Sequence, residues 1–231
     1  MTGTLTDLVL ASAAFLGHHF LFARRMVKDP LVRLLGKKGN MALYSLISVV
    51  LLGWMIWAYV AAPEVEFWPT TDWARNLALL INPLAMILLA CGYYNPSPVS
   101  LMGRHFKLDQ ELPWITRISR HPVMSAVALL CLSHMAVNGD HASLIFFGAN
   151  AFLALAGMPI MDAKKRDRWG EETWRAFAAQ TSVLPFAAIL MGRTRVSLSE
   201  ITWIPVLAGL GVYFAFLFGH PVLFGVAAFL E

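Results

Sequence analysis

The sequence predicts an all-α protein, a polytopic integral membrane bundle of about six transmembrane helices with both termini periplasmic. Three observations carry this. The 231 residues are 58% hydrophobic and only 14% charged, with a mean hydropathy of +0.62, whereas a soluble domain is about 25% charged. Apolar runs close to the roughly 20 residues needed to cross a bilayer recur along the chain. Lys and Arg are confined to alternate connections between those runs. The first of these excludes a soluble enzyme, a disordered tail and a disulfide scaffold. The net charge of +4 then reports topology rather than nucleic-acid binding.

The first run, Leu5–Ala23, has no Lys or Arg before it, so it reads as a retained span rather than a secretory signal. Met41–Ala61 is the second and Arg75–Tyr94 the third. Pro122–Asn138 is short for a span and begins with proline, which fits the first turn of a helix. Ala142–Met161 is the fifth. Ile201–Leu230 exceeds one span, and Gly219-His220-Pro221 marks where one helix ends and a short interfacial piece begins. Between the last two spans, residues 162–195 read as a cytoplasmic amphipathic segment in which Trp174 and Phe177 share a helical face. The whole of 1–231 reads as one transmembrane domain.

Seventeen of the eighteen Lys and Arg lie in three alternate connections, and Arg75 is the exception at a span edge. Those connections are expected to be cytoplasmic. Cys91 and Cys131 both sit in apolar runs, with no C-x-x-C for zinc or redox chemistry and no C-x-x-C-H for covalent haem. G-x-S-x-G, Walker, H-E-x-x-H and dinucleotide patterns are also absent.

Histidine is the informative residue, because an ionisable side chain in a span is costly without a partner. His18, His19, His105 and His121 map to the cytoplasmic side, and His134, His141 and His220 to the outer side. His141 and His220 read as interfacial and His105 as solvated. His121 and His134 are 13 residues apart on one helix, about 20 Å, and cannot hold one iron. His18 or His19 shares a depth with His121. Adjacent helical residues diverge by about 100°, so only one of the pair faces a common centre, and the geometry of the sequence leaves that choice open. Arg117 and Arg120 beside His121 offer cationic partners for an anionic ligand group. A histidine at this position also serves as a simple helix cap.

Several segments, taken in order, resemble the NnrU family, whose eukaryotic relatives include the plastid zeta-carotene isomerase. They are Gly17-His18-His19-Phe20, Leu35-Gly36 through Gly39, Leu43-Tyr44-Ser45-Leu46, Arg117 to Pro122, Ser133-His134, Asn138-Gly139-Asp140, Asp162 to Lys165, Trp174, and Thr181-Ser182 through Pro185-Phe186. The resemblance implies an integral membrane protein and, in its bacterial branch, a link to nitrogen-oxide (denitrification) metabolism. In the isomerase branch it implies haem b bound by histidine and redox-dependent cis-to-trans isomerisation of a polyene. Carried over by residue, His19 and His121 match the family's histidines and are the expected iron ligands. His18 and His134 are the fallbacks, and Arg117 and Arg120 are expected on the propionates, which need cationic partners near the aqueous face. Phe20-Leu21 replace the small polar residues of the isomerase branch.

Arg120-His121-Pro122 with Asp162 to Pro185 is also similar to isoprenylcysteine carboxyl methyltransferases, where this region cradles S-adenosylmethionine. Val123-Met124 and a lone Asp162 depart from that pattern. The expected function is therefore an inner-membrane haem-b protein in a bacterium, isomerase-like or linked to denitrification. Its partners would be the lipid bilayer, other membrane proteins, and a hydrophobic small molecule or a gas, with no nucleic acid. An S-adenosylmethionine-dependent membrane methyltransferase and a cofactor-free partner of a denitrification assembly are the alternatives. Whether the chain is an enzyme stays open at this level.

Overall fold

The computed structural model describes residues 3–100, 106–107 and 111–229. Among them are α1 (Leu5–Phe22), α2 (Arg25–Ala61), α3 (Asp72–Tyr94), α4 (Trp114–Ile118), α5 (Pro122–Val137), α6 (His141–Trp169), α7 (Glu171–Gln180), α8 (Ala187–Leu190) and α9 (Trp203–Phe224). Five of them, α1, α2, α3, α6 and α9, are long and apolar enough to cross a bilayer, and α5 is a shorter apolar helix. The protein is an all-α, multi-pass membrane bundle, and its six apolar helices fall on the six runs expected from the sequence. His105 lies outside the described residues.

The chain divides into two compact units, Met1–Thr70 with Asn138–Leu153, and Thr71–Val137 with Ala154–Glu231. Within the first, Thr4 caps α1 by accepting from the Asp7 amide while the Asp7 carboxylate accepts from the Thr4 amide, a reciprocal capping box. The buried face of α1 (Leu8, Ala11, Phe15) packs on Met55 and Ala58 of α2 and on Ala142 at the start of α6. Tyr59 and Ser143 share a hydroxyl hydrogen bond of 2.9 Å.

α2 differs from expectation. Residues 24–38 were expected as a charged connection, but the helix already begins at Arg25. Gly36 breaks it with φ 70° and ψ 171°, a conformation essentially open only to glycine. Limbs 25–35 and 37–61 therefore run in different directions.

The second unit is built on α3. α5 packs antiparallel to it: a Cβ on Gly92 would come within 2.8 Å of Val123, and Ser133 donates to Asn82 at 2.7 Å nearer the other end. α9 lies on α3 as well. Pro83 inside α3 has no N–H, so the Leu79 carbonyl loses its helical partner, and the Tyr213 hydroxyl of α9 donates to it at 3.1 Å. One turn away a Cβ on Gly209 would stand 2.7 Å from the Met86 carbonyl oxygen and 2.8 Å from the Ile87 Cα. Gly209→Ala is expected to force α9 off α3 at an overpacking cost of about 1–3 kcal/mol. Thermal unfolding in detergent measures it, and an unchanged midpoint would refute this close approach.

α6 continues to Trp169, past the expected end at Met161. Its last turns carry Arg166 and Arg168, suited to the negative end of the helix dipole. α7 folds Trp174 and Phe177, three apart on one helical face, inward, the latter fully buried with Val99, Phe106 and Leu112.

Candidate functional site

Two polar clusters sit inside otherwise apolar packing, one in each unit. In the first unit both histidines of α1 face α2, but their hydrogen bonds differ. His18 is buried, and its Nε2 lies 3.2 Å from the Tyr44 carbonyl and 3.0 Å from Ser48 Oγ. Ser48 already donates its one hydroxyl proton to the Tyr44 carbonyl at 2.8 Å, so both groups near His18 are acceptors and Nε2 must be the donor. The ring stacks on Tyr44 with centroids 4.9 Å apart. His18 is thereby fixed as a helix-packing residue.

His19 has the opposite tautomer. Its Nδ1 donates to the Phe15 carbonyl at 2.8 Å, and the ring is held by Phe15 at 4.4 Å and edge-on by Tyr44 at 5.6 Å. Among the described residues nothing bonds Nε2. A backbone carbonyl on Nδ1–H that leaves Nε2 as a lone-pair donor is how a ligating imidazole is usually supported.

The second cluster is the Arg120-His121-Pro122 corner. α4 ends at Ile118, and α5 starts at Pro122. His121 is 4% exposed, and its Nε2 donates to Asp162 Oδ1 of α6 at 2.9 Å. Arg120 donates through Nη1 to Asp162 Oδ2 at 2.6 Å and through Nε to Thr181 Oγ1 at 3.0 Å. Its guanidinium lies over Trp174, 5.1 Å from the ring centroid. One carboxylate thus neutralises a buried cation and orients an imidazole, leaving Nδ1 as the second ring nitrogen.

The Thr181–Phe186 segment clamps this corner. The Arg120 amide donates to the Ser182 carbonyl at 2.8 Å and the Phe186 amide to the Ile118 carbonyl at 2.7 Å. Phe186 has a φ of 65°, a left-handed geometry costly for an aromatic residue and sustained only by such fixed surroundings. Ser97 Oγ donates to the Arg120 carbonyl at 2.7 Å, and Lys165 Nζ to the Pro98 carbonyl at 2.7 Å.

Arg117 stands apart from this network. It donates to the Arg195 carbonyl at 2.7 Å and pairs with Glu200. Among the described residues its buried Nε has no hydrogen-bond partner, and neither has Trp114 Nε1 one turn earlier. His134 donates through Nδ1 to the Leu130 carbonyl at 2.8 Å, His141 through Nδ1 to Val65 at 2.8 Å, and His220 to Val226 at 2.8 Å. On the surface, hydrogen bonds from Arg166 and Arg175 hold the Glu171 carboxyl below the ordinary carboxylate range.

The structure therefore joins Arg120 and His121 through Asp162, places Arg117 with Glu200, and keeps His18 and His19 in the first unit. Sequence reasoning set Asp162 beside Arg120-His121-Pro122 only through the methyltransferase resemblance, and the direct bonds of its carboxylate to Arg120 and His121 were not legible.

The family model described as "NnrU protein" matches residues 7–228. The chain belongs to the NnrU family. It is 32% identical over 120 residues to the chloroplastic 15-cis-zeta-carotene isomerase of Arabidopsis thaliana, an overlap covering 49% of this chain and 31% of that protein. To the Zea mays protein of the same description it is 33% identical over 128 residues, covering 51% and 32%. The matched part of this NnrU protein thus spans about a third of those relatives. No solved structure matches it.

Proposed function

We propose that this NnrU protein is a membrane-embedded, isomerase-like redox protein that carries haem b and acts on an apolar polyene dissolved in the bilayer. The observation that carries the reading is His19: a half-buried imidazole in an apolar span, its tautomer set by the Phe15 carbonyl and its Nε2 open. The relatives described as 15-cis-zeta-carotene isomerases supply the substrate class. In the second unit His121 keeps Nδ1 as its other ring nitrogen while Nε2 donates to Asp162. Arg120 of the same unit acts by fixing Asp162. Haem supplies reversible one-electron exchange at a site whose potential its ligands set.

A cis–trans change moves no atoms in or out of the substrate. The protein's part is to hold the ligand rings, exclude water and present an apolar surface. In this reading the cation-rich connections face the cytoplasm of a bacterial inner membrane and both termini lie outside. The methyltransferase alternative is less well supported, because Arg120, His121 and Asp162 are already bonded to one another.

The test uses protein in lipid nanodiscs, loaded with haem b and kept in the dark with a polyene bearing one central cis bond. Chromatography is expected to show conversion to the trans isomer with reductant, and none with His19→Ala. An unchanged isomer ratio for loaded, reduced wild type would overturn the isomerase reading. A thermal shift with S-adenosylmethionine would favour the alternative.

A further inference from the structure

The 25–35 limb of α2, about 16 Å long, has two unlike faces. Met26, Val27, Pro30, Leu31, Leu34 and Leu35 recur at helical spacing and form one apolar stripe. Arg25, Lys28, Asp29 and Arg33 lie on the other side with one part-buried apolar residue, Val32, among them, and Arg24, Lys37 and Lys38 flank the limb, so six cations oppose one acid. Among the described residues much of the stripe is uncovered, with Met26 88%, Leu34 79% and Leu35 43% exposed, while Val27 and Leu31 are part-buried. At Gly36 the chain turns out of helical geometry and enters the apolar 37–61 limb. A helix joined by one bend to a membrane span starts where that span meets the headgroups.

From this continuity and charge we propose that the 25–35 limb is an interfacial anchor. Its apolar stripe enters the acyl boundary, and its cations rest on anionic phospholipid headgroups of the bilayer that α2 crosses. A second copy is a poorer occupant, since pairing two such limbs brings six cations against six. The proposal is independent of the haem reading.

The full chain, with Cys91→Ala and Cys131→Ala, is spin-labelled at Leu34→Cys or at Arg33→Cys and placed in nanodiscs of phosphatidylcholine with or without phosphatidylglycerol. The Leu34 label is expected to be reached by oxygen and shielded from a water-soluble nickel chelate, and the Arg33 label to show the reverse. Equal exposure of both labels to nickel overturns the proposal. Dipolar broadening between Leu34 labels also overturns it and assigns the stripe to a second copy. Unlabelled wild type gives an independent reading. Amide exchange over 25–35 is expected to slow several-fold in phosphatidylglycerol discs, with the difference shrinking in high salt. Lys28→Gln with Arg33→Gln is expected to remove most of it, and exchange indifferent to lipid charge contradicts the anionic part.

Discussion

Asp162→Ala is expected to destabilise the protein by about 3–5 kcal/mol, the usual result of removing one partner from a buried charge pair. The Arg120 and Asp162 side chains are only 11% and 14% exposed, so the guanidinium left behind stays desolvated. His121 loses the acceptor on Nε2 in the same step. The paired change Arg120→Met with Asp162→Leu is expected to cost less than the single change, because no uncompensated charge remains. The residual loss should be about 1–3 kcal/mol, for the His121 hydrogen bond and the Arg120 bond to Thr181 Oγ1. Thermal or denaturant unfolding of detergent-purified protein gives all three values. A single variant no less stable than wild type would show that this carboxylate does not hold the corner together.

If the proposed haem is bound through His19, His19→Ala is expected to abolish haem retention or to leave a five-coordinate species, since the imidazole with an open Nε2 is removed. His18→Ala is the internal control. It removes the donor that ties α1 to the Tyr44 carbonyl and Ser48, so it should lower stability and leave the haem spectrum nearly intact. His134→Ala should also leave the spectrum intact, because that ring sits near the far end of α5. If His18→Ala strips haem while His19→Ala keeps it, the tautomer argument fails.

The two histidines show where sequence reasoning stops. Their depth follows from counting residues along α1, but which nitrogen each ring keeps as a lone-pair donor, Nδ1 in His18 and Nε2 in His19, depends on Tyr44 and Ser48 of another helix and on the Phe15 carbonyl. Asp162 is similar: its place where the apolar part of α6 meets a charged end is visible in the sequence, and its union with Arg120 and His121 is a product of packing. The six apolar helices were legible because each needs only a long apolar run. The 25–35 limb was hidden by its charges, although the apolar spacing of Met26, Val27, Pro30, Leu31, Leu34 and Leu35 was present. The direction change at Gly36 needed a positive φ that a glycine permits but does not announce. α4 is five residues long, too short to leave a periodic signal.

The central claim is that this NnrU protein is a haem-b protein, and an absorption spectrum of the purified chain, oxidised and then reduced, tests it most directly. The account predicts a Soret band, present as purified or after adding haem b and removing the excess, that shifts on reduction and is lost in His19→Ala. A folded wild-type protein that shows no such band after haem is supplied would contradict it.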